Sequence, residues 1–186
     1  MVRLGIVLRE VVMNNNFKMK KSIFYLSIIL LGTIVSAQVS IGKKVVNTTN
    51  TILEFDDAFS NTKGLILPTI DVLPSKLTDG TFLYDKGDQK LKVFENSMWK
   101  YLSDQGSNAT VVTNISEDIG EGVIIGAENS NATGVLVLES DSKAMILPKI
   151  SKPEENVPNP YPGMICYDLA SKSLAAYDGK NWNYWK

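Results

Sequence analysis

The chain has 186 residues, 44% of them apolar, which is enough hydrophobic material for one modest domain or two small ones. Five basic residues but one acidic residue lie in the first 37 positions, so the rest of the chain is mildly acidic, and the lack of a basic patch argues against nucleic-acid binding. The absence of histidine removes the commonest general base and metal ligand.

The first predicted element is a secretory signal peptide. From Met19 the sequence runs through Lys20 and Lys21, an apolar stretch over 23–35, and the small residues up to Ala37. The apolar stretch is shorter than the ~20 residues that span a bilayer, so we expect cleavage after Ala37 and no stable membrane span in the mature chain. The prediction is an exported protein that is secreted or at the cell surface, with the periplasm as an alternative.

After residue 37 the sequence repeats itself. The segment "KGLILPTI" (63–70) matches "KAMILPKI" (143–150), and "GTFLYD" (80–85) matches "GMICYD" (163–168), in the same order. Because an internal repeat indicates a repeated structural unit, the sequence divides into four parts. These are an upstream extension with the signal peptide (1–37), β repeat 1 or copy 1 (38–103), a polar linker (104–120), and β repeat 2 or copy 2 (121–186).

Each copy carries the alternating pattern of β-strands. In copy 1, "GTFLYD", "KLKVF" and "MWKY" are separated by turn-like residues, and copy 2 has "GMICYD", "SLAAY" and "NWNY" in the same places. Asp178-Gly179 suits the turn before the last of these strands. The sequence therefore predicts an all-β fold of two tandem β repeats, each with a three-stranded meander, after an N-terminal signal helix.

The size of each copy predicts that the copies depend on neighbours. A lone meander of roughly sixty residues buries too little surface to be stable alone, so we expect the copies to lean on each other or on other chains. Equivalent residues, such as Leu67 and Leu147 or Tyr84 and Tyr167, should then be equally buried. The proline-rich loop of copy 2, "SKPEENVPNPYP" (151–162), is predicted to be stiff and extended.

The reactive side chains have plain structural interpretations. Cys166 is the only cysteine and stands at the position of Leu83, which favours a buried apolar role over a reactive thiol. Asp85 and Asp168 recur at one position beside a turn, which favours a turn role over Ca²⁺ binding. The sequence predicts no catalytic residue, no metal site, no cofactor and no enzyme activity; a hydrolase with paired carboxylates is the weakest alternative.

Aromatic residues at the end of each meander are the candidate ligand-binding residues: Trp99, Tyr101, Trp182, Tyr184 and Trp185. If they are exposed, they could stack on sugar rings, as in carbohydrate-binding modules. Alternatively, each Trp closes its own meander by packing on the face predicted to hold Tyr84 and Phe94, or Tyr167 and Tyr177. Recurrence at one repeat position favours this second role. Trp185 has no aromatic counterpart, so it is the residue of this set that we expect to be exposed.

Both copies resemble a repeat of secreted and surface proteins of Gram-negative bacteria, and they are similar to segments of phage tail-fibre-like proteins. That repeat runs K-G-F-L-P-P-R, a spacer, G-L-M-I-Y-N, and Y-Y-N-G-x-x-W; this chain keeps a single proline (Pro68, Pro148) where the repeat often has two.

The resemblance implies an exported, non-enzymatic structural or adhesive surface protein with fibre-like β repeats. It also implies a homo-oligomer, since fibre relatives are often trimers. The aromatic strand edges add the expectation of a glycan or surface partner. The alternative function is a carbohydrate-binding module that uses the Trp/Tyr strand edges.

Overall fold

The computed structural model describes residues 20–21, 38–44, 46, 50–112 and 122–186. The chain divides into two units, Met1–Ser36 and Ala37–Lys186. In the first unit Lys20 and Lys21 are described, and both are helical. The rest of the predicted signal peptide lies outside the described residues, as do residues 113–120 of the predicted linker and residue 121, the first of copy 2. Within the described ranges, no helix has the length and hydropathy needed to cross a membrane.

The regular secondary structure described in the second unit consists of short strands and one helical turn. Copy 1 contains β1 (Val39–Ile41), β2 (Thr51–Phe55), β3 (Leu65–Ile66), β4 (Thr69–Ile70), β5 (Thr81–Asp85), β6 (Lys90–Glu95) and β7 (Met98–Tyr101). Copy 2 contains β8 (Val123–Ile125), β9 (Leu136–Leu138), β10 (Ala144–Met145), β11 (Lys149–Ile150), helix α1 (Pro153–Asn156), β12 (Met164–Asp168), β13 (Ser173–Tyr177) and β14 (Trp182–Trp185). The predicted all-β fold with two tandem repeats is confirmed.

Each copy forms the predicted antiparallel meander, extended by one parallel strand. The strand order is β4-β5-β6-β7 in copy 1 and β11-β12-β13-β14 in copy 2. The registers are equivalent, since Tyr84 lies opposite Leu91 and Tyr167 lies opposite Leu174. Gly179 has a φ of 96°, as expected for the predicted turn before β14.

The copies are joined by an exchange of the short strands that precede Pro68 and Pro148. Strand β3 of copy 1 pairs antiparallel with the start of β12 in copy 2, whereas β10 of copy 2 pairs parallel with β2 of copy 1. Strand β2 thus lies at the centre of the sheet β1-β2-β10, while its counterpart β9 pairs, among the described residues, with β8. This stacking of repeats gives the unit a β-solenoid-like character.

The main core lies between the two meander sheets. We call the sheet faces that meet there the inner faces; they contribute one cluster of buried residues, which are Leu67, Tyr84, Leu91, Leu102, Ile165 and Ala176. This shared core confirms that the copies lean on each other. Equal burial of equivalent residues was a wrong prediction: Leu67 and Tyr84 are buried, whereas Leu147 and Tyr167 are only partly buried.

A second cluster covers the opposite, outer face of the copy 2 sheet. There Cys166 and Ala175 pack under Val157 of the preceding loop, with Tyr161 beside them. The prediction that this loop is extended throughout was wrong, because Pro153 begins the helical turn α1. Proline is favourable at the first position of a helix, where its missing N–H costs no hydrogen bond.

The start of the predicted linker is part of the folded unit. The N–H of Gly106 donates to the Gln89 carbonyl in copy 1, and the N–H of Ser107 donates to the Asp178 carbonyl in copy 2. A Cβ at residue 106 would lie 1.8 Å from the Asp178 oxygen, so only glycine fits there. This segment therefore ties the turns of the two copies together.

Candidate functional site

The predicted aromatic residues lie on opposite sides of the stacked sheets. Strand alternation and register place Trp99 and Tyr101 on the outer face of the copy 1 sheet, and Trp182 and Tyr184 on the outer face of the copy 2 sheet. The two inner faces meet in the shared core, so these four side chains do not form one continuous platform.

Each of the two repeat tryptophans packs on an aromatic residue of the adjacent strand. The ring centroids of Phe94 and Trp99 are 5.3 Å apart at 67°, and those of Tyr177 and Trp182 are 5.3 Å apart at 46°. Of the predicted partners, Phe94 and Tyr177 are confirmed. Tyr84 and its counterpart in copy 2 are not partners, because they point to the inner face. The Trp–aromatic pairs thus belong to the outer faces.

The remaining aromatic residues are more exposed. Trp185 is exposed, at 47%, as predicted, and Tyr101 is exposed as well, at 52%. The Lys90 ammonium lies 4.3 Å from the Tyr101 ring centroid, a cation–π contact. Trp185 points to the inner side, where its indole N–H donates to the Leu102 carbonyl at 2.7 Å.

Tyr184 is held by a carboxylate of the loop that precedes its meander. Its hydroxyl donates to Glu154 in α1. Burial and then this hydrogen bond raise the pKa of Tyr184 above its ordinary value. The contact links β14 to the loop that covers the outer face of copy 2.

In copy 1 the recurring turn carboxylate forms an ion pair. Asp85 Oδ2 lies 2.6 Å from Lys92 Nζ, and Asp88 Oδ2 lies 2.7 Å from the same ammonium. The Gly87 N–H also donates to Asp85 at 2.7 Å. Burial opposes ionisation of Asp85, but the Lys92 ammonium and the Gly87 N–H outweigh it, so the pKa of Asp85 lies below its ordinary value.

In copy 2 the equivalent carboxylate is stabilised by hydrogen bonds. Asp168 accepts bonds from the backbone N–H groups of Lys152, Ala170 and Ser171 at 2.8–2.9 Å. Burial opposes ionisation, but the Ser171 side chain and these N–H groups outweigh it, and the pKa of Asp168 is lowered. In the part of the chain that the structure describes, no group of three or more His, Cys, Asp or Glu residues could hold a metal ion.

Cys166 lies in the outer cluster of copy 2, opposite Ala175. Burial, followed by the charges of Asp168 and Glu154, raises the pKa of its thiol to about 12. The thiolate is the reactive form of cysteine, so this side chain is a poor nucleophile near neutral pH. Its position agrees with the buried apolar role predicted from its alignment with Leu83.

Sequence reasoning missed a set of exposed apolar residues at strand edges. Phe82 in β5, Ile66 in β3 and Leu136 in β9 are all exposed. Each is ordinary for a strand, and the repeat alignment shows only that its counterpart is also apolar. Their exposure depends on which copy lacks a neighbouring strand, and no local sequence pattern reports that.

These observations define the class: an all-β repeat protein whose two copies share a core and exchange strands. Residues 124–186, which form most of copy 2, match the family described as "Phage tail like trimerisation region". This match supports the resemblance to tail-fibre-like proteins. No curated protein and no solved structure matches the chain.

Proposed function

We propose that the protein is an exported, non-enzymatic structural component that assembles as a homotrimer through its β repeats. The observation that carries the proposal is the match of residues 124–186 to a trimerisation region. Export rests on the signal-peptide pattern over residues 19–37.

The surface of the unit favours assembly. Apolar side chains are exposed on strands of both copies, among them Phe82, Ile66 and Leu136. Strand edges that carry apolar residues are templates for pairing with another chain unless they are covered. A trimer would cover such edges and supply the burial that two small β repeats need.

An adhesive role is the second part of the proposal. Tyr101 and Trp185 present aromatic surface near the ends of β7 and β14, and each is about half exposed. Aromatic faces of this kind stack on sugar rings, so the ligand class would be a glycan of a surface. Because Trp99 and Trp182 are engaged with neighbouring rings, the exposed pair is the better candidate for that contact.

Light scattering on residues 38–186 tests the assembly. We expect a molar mass three times that of the single chain, constant over a wide concentration range. A single-chain mass throughout that range would contradict the proposal. A glycan array probed with the same material tests the adhesive role, which requires binding that Tyr101→Ala weakens.

A further inference from the structure

The junction between copy 1 and copy 2 leaves matching edges open at the two ends of the unit. At the start of β12, Ile165 is covered by β3 and is 3% exposed. At the start of β5, Phe82 pairs with Val93 of β6 on one edge, has no strand on its other edge in the described ranges, and is 38% exposed. Leu53 in β2 is covered by β10 and is 1% exposed, whereas its counterpart Leu136 in β9 is 42% exposed. Each covered position in one copy is an open position in the other.

The short strands β3 and β10 use opposite edges. The N–H groups of Ala144 and Ile146 donate to β2 or the residue before it, at 3.0 and 2.9 Å. In the equivalent segment of copy 1, Leu67 donates to the Gly163 carbonyl at 3.0 Å, so the alternate set of backbone groups faces copy 2. Successive N–H groups of a strand point to opposite edges. In β10 the edge equivalent to the paired edge of β3 is therefore open, and in β3 the edge equivalent to the paired edge of β10 is open.

The receiving edge of β5 is also oriented for pairing. The Tyr84 N–H donates to the Pro68 carbonyl at 2.9 Å, as the Tyr167 N–H does to the Pro148 carbonyl at 2.8 Å. Backbone groups two residues apart point to the same edge of a strand. The backbone of Phe82 therefore faces the edge at which the equivalent of β3 from a preceding copy would pair.

We propose that protomers join head to tail by repeating this internal junction: β10 of one protomer pairs antiparallel with the start of β5 in the next, and β3 of that next protomer pairs parallel with β9 of the first. Met145 then lies opposite Phe82, as Leu65 lies opposite Ile165 within the chain. The inference rests on the proposed homotrimer, because a head-to-tail contact of this kind forms a closed ring only when its rotation closes.

Side-chain size supports this match independently. Within the chain, Gly64 allows β12 to approach closely, because a Cβ at residue 64 would lie 2.6 Å from the Met164 side chain and 2.9 Å from the Ile165 carbonyl oxygen. At the proposed junction, Ala144 takes the place of Gly64 and Thr81 takes the place of Met164. The added methyl group of Ala144 therefore meets a smaller side chain, although the two backbones must lie slightly farther apart than those of β3 and β12.

Disulfide trapping tests the pairing. The double variant Phe82→Cys/Met145→Cys, oxidised under mild conditions, should form covalent dimers and trimers on a non-reducing gel, and reductant should return them to single chains. Each single variant should remain a single chain. Buried Cys166 is not expected to take part, because its thiol is inaccessible and its pKa is raised to about 12.

The intrachain junction provides the matched reference. Leu65→Cys/Ile165→Cys should form a disulfide within one chain, so the protein should still run as a single chain on a non-reducing gel. If that reference pair forms while Phe82→Cys/Met145→Cys stays monomeric in a protein whose mass is trimeric, the edge pairing is wrong and the proposed trimer stands. If light scattering gives a single-chain mass, both fail; if the mass grows without limit while the disulfide forms, the edge pairing holds and the closed trimer fails.

A second variant gives the same test without cysteine chemistry. Phe82→Asp places a charge at the proposed junction on a residue that is already partly exposed, so the protomer should fold and the trimeric mass should fall to that of one chain. Val72→Asp is the control. Val72 is an exposed apolar residue next to Asp71, which pairs with Lys86 just after the end of β5, whereas Phe82 lies at its start. A mass that Phe82→Asp leaves unchanged would overturn the proposed pairing.

Discussion

Copy 1 and copy 2 follow one repeat pattern, yet equivalent residues differ in burial because their neighbours differ. Tyr84 is fully buried in the shared core, and its hydroxyl donates to the Asp178 carbonyl of copy 2 at 3.3 Å. Burial, with smaller contributions from the charges of Asp178 and Asp88, raises the pKa of Tyr84 to about 12. Tyr167 has the same register but is only partly buried. The repeat thus determines the strand, and the partner copy determines the burial.

The outer faces show a second difference. In copy 2, Cys166 and Ala175 leave room for a loop that packs on the sheet. In copy 1, Lys92 replaces the alanine; it lies opposite Leu83, and its ammonium pairs with the carboxylate of Asp85. A long aliphatic stem that ends in a charge can cover an apolar neighbour without a loop. One sheet is therefore covered by a segment of chain and the other largely by its own side chains.

The largest predicted effect concerns the two equivalent tyrosines. Tyr84→Ala should lower the free energy of unfolding by about 3–5 kcal/mol, as expected for removal of a large buried ring. Tyr167→Ala should cost less than half as much, because its side chain is partly exposed. Urea denaturation of both variants beside the parent measures the difference. Equal losses would show that the copies are energetically equivalent and would contradict the comparison.

A smaller loss of stability is expected on breaking the ion pair between Lys92 and Asp85, which has no equivalent among the described residues of copy 2. Lys92→Met should lower the free energy of unfolding by about 2–3 kcal/mol at pH 7, because it leaves the Asp85 carboxylate without its cation in a largely buried site. The lowered pKa of Asp85 makes its contribution present above pH ~4 and lost as the pH falls through the folded-state pKa. The difference between variant and parent should therefore narrow at pH 3.

The control for this variant is Lys152→Met. Lys152 pairs with Glu155 at 3.1 Å, and both side chains are more than half exposed. Removal of such a surface pair should change stability by less than about 0.5 kcal/mol. A loss at Lys152 as large as that at Lys92, or a Lys92 effect that does not change with pH, would refute the assigned role of the buried pair.

The sequence was sufficient to predict the three meander strands of each copy, because period-two alternation and the internal repeat both indicate them. The sequence also predicted that Cys166 is a buried apolar residue and that Gly179 adopts a turn conformation with a positive φ. Strand exchange was not predictable, since β3 and β10 are two residues long and either copy offers a chemically suitable edge. For the same reason the exposure of Phe82 and the burial of its counterpart Ile165 could not be distinguished, and the helical turn at Pro153 was hidden in a segment rich in prolines.

Native-state hydrogen exchange at the amides of Tyr84 and Tyr167 tests most directly whether the two copies form one cooperative unit. Both amides donate to a proline carbonyl in equivalent parallel pairs. Because the copies share a core and exchange strands, we expect the two amides to exchange through the same opening, with free energies equal within about 0.5 kcal/mol. An opening free energy for one copy that is lower by more than about 1.5 kcal/mol would show that the copies unfold separately and would contradict the account.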